Sequence, residues 1–233
     1  MRDITIAIDG HSSCGKSTLS RELANALGYA YIDTGAMYRS VTLYCLQKNI
    51  IQEGRAVDAL KVIKELLNIH IEFRINPLSG KSETYLNGEN VEEKIRTMEV
   101  SNMVSPVSAI HEVRKMMVYL QRKMGRSGGG IVMDGRDIGT TVFPNAELKI
   151  FMTADLEVRV QRRKLELLGR GIKVTDADVK RNLQKRDDDD TNRLESPLKQ
   201  APDALVLDNT KLSTEEQLAI ALRWAKEKIV ASS

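Results

Sequence analysis

Apolar positions fall into two rhythms along the chain. Ile4–Asp9 is apolar almost throughout and runs into Gly10, which predicts a buried strand entering a turn. Ser17–Leu27 places Leu19, Leu23, Ala24 and Leu27 at helical spacing and stops at Gly28. Tyr29–Asp33 is a second short apolar run, and Thr34–Lys48 and Val57–Leu67 return to helical spacing. This alternation of strand and helix predicts an α/β fold with a parallel sheet covered by helices.

Near residue 68 the rhythm changes. Ile69, Ile71, Phe73 and Ile75 alternate with polar residues, Asn76–Gly80 reads as a turn, and Ser82–Leu86 alternates again before Asn87-Gly88, a hairpin signal. Residues 68–100 therefore read as a small antiparallel insert, too short for a separate domain, within a single domain over 1–233. Helical spacing resumes over Ile110–Lys123, and strands are expected at Ile131–Met133, Leu148–Met152 and Ala204–Leu207. Charged helices are expected at Leu156–Leu168 and Asp178–Lys185, separated by Gly169-Arg-Gly171. Ser213-Thr-Glu-Glu216 carries the capping-box pattern of a final helix.

Composition narrows the class. A net charge of +3 over 233 residues gives no electrostatic argument for nucleic acid. The two cysteines, Cys14 and Cys45, suggest no disulfide framework. No apolar run reaches membrane-spanning length and the N-terminus lacks a signal-peptide pattern, so a cytoplasmic protein without a membrane partner is expected. His70 and His111 have no partners at ligand spacing, and no zinc site is expected.

The chemistry begins at Gly10-His11-Ser12-Ser13-Cys14-Gly15-Lys16-Ser17, followed by Thr18, which fits G-x-x-x-x-G-K-[ST] between an expected strand and helix. Such a loop turns its N–H groups inward and adds the positive end of a helix, so it cradles phosphate. Lys16 reaches the outer phosphates of a bound nucleotide, and the Ser17 hydroxyl suits Mg2+. Cys14 and His11 read as loop residues without chemistry of their own, since phosphoryl transfer needs neither thiol nor imidazole. Arginines stand at strand–helix junctions, where open α/β sheets bind ligands. No N-K-x-D guanine-reading motif accompanies the loop.

The segments IDGHSSCGKST (8–18), IDTGAMYR (32–39), MDGRDIGTTVFPNAELKIFM (133–152), KRDDDDTNR (185–193) and DALVLDNT (203–210), in this order over nearly the whole chain, resemble the bacterial-type cytidylate kinases. The resemblance implies a P-loop nucleoside monophosphate kinase fold: a five-stranded parallel core, an insert in the acceptor-binding region over 68–100, and a lid over 165–175. It implies transfer of the γ-phosphate of ATP to CMP or dCMP, with ATP and Mg2+ required, nucleotides as the partners, no nucleic acid, and a monomer. It assigns Thr34 and Arg39 to the acceptor phosphate, and Ser105, Arg114 and Asp137 to cytosine. Arg136 lies beside these, and Asp190 matches a position at the acceptor sugar. Asp134 joins Ser17 at the metal. Lys16 and Mg2+ are to hold the donor's β and γ phosphates, and Arg159, Arg163, Arg186 and Arg193 are to surround the transferring group once the lid closes.

Two rival readings remain at this point: a kinase of UMP, AMP or a small metabolite on the same fold, and an ATP-binding regulatory module. The four aspartates of KRDDDDTNR pose a separate question. If the helix continues through them, Arg186, Asp190 and Arg193 share a face. Asp189 and Asp190 are then expected to hold the arginines in place, and Asp187 and Asp188 to face solvent.

Overall fold

The computed structural model describes residues 3–78, 80, 82–126 and 128–231, so Ser79 of the expected 76–80 turn lies outside the described residues. The chain divides into two compact units, Met1–Ile32 with Met124–Ser233, and Asp33–Lys123.

The first unit is built on a five-stranded sheet in the order β2-β6-β1-β7-β8. Its strands are β1 (Thr5–Gly10), β2 (Ala30–Asp33), β6 (Ile131–Gly135), β7 (Leu148–Thr153) and β8 (Leu205–Asp208), where β3–β5 are the strands of the second unit. The pairs β1–β6, β1–β7 and β7–β8 are parallel. Central β1 is buried along nearly its whole length, which is why its sequence is continuously apolar and not alternating. Ile6 and Ile8 join Leu19 and Leu23 of α1 (Lys16–Leu27), Ile150 and Met152 of β7, and Ala221 and Ala225 of α8 (Thr214–Ala231) in one core. Burying each large aliphatic side chain there contributes roughly 1.5–3 kcal/mol. The capping box at α8 forms as expected: Ser213 N donates to Glu216 Oε2 at 2.8 Å and Glu216 N to Ser213 Oγ at 3.2 Å.

The charged helices are α6 (Leu156–Gly169) and α7 (Asp176–Asn192). They are clamped by Lys180 on Glu157 at 2.6 Å and Lys164 on Asp176 at 2.6 Å. Helix α7 starts at a Thr175 cap and runs well past the expected Lys185, through all four aspartates. The 165–175 segment expected to form a lid comprises the last turn of α6 and the connection to α7, where Gly171 takes a φ of 75°.

The second unit carries α2 (Thr34–Gln47), α3 (Ala59–Glu65), the strands β3 (Ile71–Ile75), β4 (Ser82–Leu86) and β5 (Glu89–Asn90), α4 (Met98–Ser108), and most of α5 (His111–Gly125). The three strands form an antiparallel sheet, Ile71 opposite Leu86 and Leu86 opposite Glu89. Asn87 and Gly88 both take positive φ, 50° and 85°, as a two-residue hairpin of this kind requires. Helix α4 was not foreseen. It is capped by Thr97 and packs against α2 despite Pro106 inside it.

Candidate active site: a phosphate cradle and a guanidinium–carboxylate cluster

The loop after β1 has the geometry of an anion nest. Ser13 takes a φ of 59° and Gly15 one of 100°, the alternation that turns successive N–H groups inward. Gly10 has no room for a side chain, because a Cβ there would stand 2.0 Å from the Met152 carbonyl oxygen. The loop is braced from behind. Asn209, 1% exposed, donates from Nδ2 to the Cys14 carbonyl at 2.6 Å and to Gln217 Oε1 at 3.0 Å. Arg162 Nη1 donates to Asn209 Oδ1 at 2.9 Å and to the Cys14 carbonyl at 3.4 Å. Sequence reasoning missed both braces: an asparagine after a strand and one arginine among several carry no distinguishing signal.

Lys16 is buried and donates from Nζ to the His11 carbonyl at 2.6 Å. Burial, and then the charge of Arg136, push its ammonium below the ordinary value. Ser17 Oγ donates to Asp134 Oδ2 at 3.1 Å, and Tyr31 donates its hydroxyl to Asp134 Oδ1 at 2.9 Å. Asp134 is 3% exposed. A hydroxyl and a carboxylate, both hard oxygen donors at the mouth of a phosphate nest, fit Mg2+, which takes few protein ligands and completes its shell with water and phosphate.

The aspartates of α7 meet the arginines: Asp190 takes Arg193 as expected, and Arg136 as well. Arg136 Nε donates to Asp190 Oδ2 at 2.7 Å while its Nη2 donates to Ser12 Oγ at 2.7 Å, so one guanidinium bridges the nest and α7. Arg193 Nη1 donates to Asp190 Oδ1 at 3.4 Å, its Nε and Nη2 to the Ser196 carbonyl, and Nη2 stands 3.9 Å from Asp137. Burial alone would raise the Asp190 carboxyl, but Arg136, Arg193 and Arg186 outweigh it and hold the group below its usual range.

Asp187 is a correction. It does not face solvent: Arg159 Nη1 donates to it at 2.6 Å, Ser12 N at 3.4 Å, and His11 Nδ1 stands 3.5 Å away. Its carboxyl is lowered because the contacts of His11 and Arg159 outweigh its burial. Asp189, expected to hold an arginine, is exposed, as is Asp188. Arg159 also donates from Nε to the Ala154 carbonyl at 3.1 Å and from Nη1 to the Ser12 carbonyl at 3.2 Å. Arg163 pairs instead with Glu166 at 2.8 Å.

The second unit holds its own cluster. Asp33 caps α2 by accepting from Ala36 N at 2.9 Å, and it receives Arg39 Nη2 at 2.8 Å and Arg96 Nη2 at 3.5 Å. Burial acts to raise this carboxyl, yet Arg39 and Arg96 win and hold it down to about 2. A Cβ on Gly35 would stand 2.8 Å from Arg39 Nη1 and 3.0 Å from Asp33 Oδ1, so a side chain there would press on the ends of both partners. Thr34, 2% exposed, opens the helix. Arg114, 2% exposed, lies over the Tyr38 ring at 5.5 Å and donates to the Ser108 carbonyl at 3.3 Å. Ser108 Oγ in turn donates to the Ser105 carbonyl at 3.0 Å.

Comparison with known proteins bears on this geometry. The family model described as Cytidylate kinase matches residues 6–227. The chain belongs to the cytidylate kinase family. It is 55% identical over 217 residues to the cytidylate kinase of Bacteroides fragilis, covering 93% of this chain and 94% of that one. To the cytidylate kinase of Phocaeicola vulgatus it is 50% identical over 232 residues, covering 100% and 99%. Its fold is also that of a gluconokinase from Sinorhizobium meliloti, with a TM-score of 0.52 at 13% identity over 100% of this chain and 99% of that one. Of the residues nominated by resemblance to the family, the first unit gathers Lys16, Ser17, Asp134, Arg136, Asp137, Arg159, Asp190 and Arg193 around the nest and α7. Thr34, Arg39, Ser105 and Arg114 belong to the second unit, so the three residues nominated for cytosine, Ser105, Arg114 and Asp137, do not all fall in one unit. Among the described residues, no helix is long and apolar enough to cross a membrane.

Proposed function

We propose that the chain transfers the γ-phosphate of ATP to CMP or dCMP, giving ADP and CDP or dCDP. The observation that carries this reading is Arg136, whose guanidinium touches both the nest at Ser12 and the α7 carboxylate Asp190. A cation held there is positioned between a donor phosphate in the nest and an acceptor phosphate beside it. Phosphoryl transfer is mostly a matter of positioning and charge neutralisation, and the acceptor oxygen is already anionic, so no general base is required.

In this reading the nest N–H groups of residues 10–18 bind the donor's phosphates, and Lys16 moves from the His11 carbonyl to the outer ones. Ser17 and Asp134 hold Mg2+, which when bound neutralises phosphate charge. Arg39 and Arg136 orient the acceptor phosphate, and Thr34 supports Arg39's helix. Arg163, Arg186 and Arg193 face the transferring group when the 165–175 lid closes, which limits hydrolysis by excluding water. Arg159 keeps Asp187 and the nest in register.

Asp137 accepts from the cytosine amino group and repels the uracil carbonyl, Arg114 donates to the cytosine carbonyl, and Ser105 completes the set. Asp190 reaches the acceptor sugar while holding Arg136. Cys14 and Cys45 are buried free thiols, in keeping with a reducing compartment. A coupled ADP-release assay across CMP, dCMP, UMP, AMP and GMP tests the substrate. CMP and dCMP are expected to lead, and equal rates across the panel exclude the reading. Asp137→Asn is expected to lower the CMP-to-UMP ratio of kcat/KM; an unchanged ratio removes Asp137 from base recognition.

A further inference from the structure

Asp9 sits beside Gly10 at the end of β1 and is 5% exposed. Its two oxygens are both used. Ile138 N donates to Oδ1 at 2.8 Å and Gly139 N donates to Oδ2 at 2.7 Å. Those two N–H groups open a single π-helical turn, Ile138–Val142, which begins immediately after Arg136-Asp137. The first N–H groups of any helical turn lack partners within it, so an outside acceptor must supply them. Asp9 does so from the strand that feeds the phosphate nest. The far side of the same peptide is tied as well, because the Asp137 carbonyl accepts from Thr141 N at 2.8 Å and Val142 N at 3.1 Å.

The surroundings of this carboxylate give it little freedom. Lys16 of α1 favours its ionised form, and Asp137 opposes it. The stem of Lys149 on β7 closes the other side of Gly139, where a Cβ would stand 3.1 Å from Lys149 Cδ. The Lys149 ammonium is turned to the Pro144 carbonyl at 2.5 Å and to Asp203 at 2.9 Å. A buried carboxylate is a costly way to fix a turn. Here it fixes the direction in which Arg136 and Asp137 leave β6.

We propose that Asp9 is a positioning residue for the acceptor nucleotide: by holding the Ile138 and Gly139 N–H groups it fixes the Arg136-Asp137 segment relative to the phosphate nest. This rests on the assignment of Arg136 and Asp137 to the acceptor. Geometry set this way is felt in acceptor binding and base choice, and hardly at all in the donor's affinity.

The experiment is a kinetic cycle of the parent chain, Asp9→Asn, Asp137→Asn and the double variant, with KM and kcat measured for ATP, CMP and UMP. Asp9→Asn is nearly isosteric but loses one of the two acceptors. It is expected to raise KM for CMP by about tenfold, the effect of one buried N–H left without its acceptor, and to leave KM for ATP within about twofold. Its effect on the CMP-to-UMP ratio is expected to shrink in the Asp137→Asn background, as it must if Asp9 acts through Asp137. Equal rises in both KM values, no rise in either, or full additivity in the cycle each overturn the proposal. If Asp137→Asn alone leaves the ratio unmoved, the base reading of Asp137 falls. Asp9 is then judged by the split between the two KM values alone. If Asp9→Asn does not fold, Gly139→Ala replaces it, since its Cβ would stand 3.1 Å from Lys149 Cδ, on a stem tied at Pro144 and Asp203, and so press the turn off its seat on Asp9. An unchanged KM for CMP in that variant also overturns the proposal.

Discussion

Asp187 and Asp190 lie three residues apart on α7 and hold different arginines. Asp187 takes Arg159 and the nest N–H of Ser12; Asp190 takes Arg136 and Arg193. Their loss should therefore be felt by different substrates. Asp187→Ala is expected to raise KM for ATP by about tenfold, because it removes the acceptor shared by Arg159 and the Ser12 N–H of the nest. Asp190→Ala is expected to raise KM for CMP by a similar factor, about 1.4 kcal/mol in each case. Asp188→Ala, at an exposed position, should change neither by more than about twofold. Kinetics of the three variants check this, and identical profiles for Asp187→Ala and Asp190→Ala would refute it. The sequence indicated that Asp190 shares a face with Arg186 and Arg193, since spacing on one helix is legible. It did not reveal Asp187's role, because Arg159 and Ser12 come from other elements. A sequence read in order has no means of placing α7 against α6 and the nest.

At the scale of elements, strands and helices with a clean period were legible, and elements set by local bonds were not. Strand β1, helix α1, the Asn87-Gly88 hairpin and the α8 cap follow from apolar rhythm and turn chemistry. Helix α4 was hidden because Pro106 normally breaks a helix, although Val100, Met103, Val104 and Val107 stand at helical spacing and form its buried face. The π-helical turn at Ile138 has no period to find; it exists because Asp9 satisfies its opening N–H groups. The start of α2 is tested most directly at Gly35. Gly35→Ala puts a Cβ within 2.8 Å of Arg39 Nη1 and should displace Arg39 from Asp33. The expected outcome is about a tenfold loss in kcat/KM for CMP with KM for ATP unchanged. At the other end of the chemistry, Asn209→Ala removes the brace on the Cys14 carbonyl. It should raise KM for ATP several-fold and leave KM for CMP alone, a split that initial-rate kinetics resolves.

For the whole molecule, the two units carry buried carboxylates that titrate in opposite senses. In the second unit Asp33 is held down to about 2 from an ordinary 3.8, because Arg39 and Arg96 outweigh its burial. A depressed carboxyl contributes stability above its unfolded value and loses it as pH falls, here between about 4 and 2. The contribution is roughly 2 kcal/mol. In the first unit burial pushes Asp9 up to about 7, against the bonds from Gly139 and Ile138. The folded unit then binds a proton that the unfolded chain has released, so stability falls as pH rises from about 4 to about 7. The change is at most about 4 kcal/mol. Hydrogen exchange followed residue by residue separates the two windows. Between pH 7 and pH 4 the slowest amides of β1 and β6 should gain protection relative to those of α2 and α4, after correction for intrinsic exchange. Below pH 4 the amides of α2 should lose it. Asp9→Asn should flatten the first trend and leave the second, and Asp33→Asn should do the reverse. Both trends vanishing together in either variant would mean that the two carboxylates titrate as parts of one cooperative unit, against the independence assumed here.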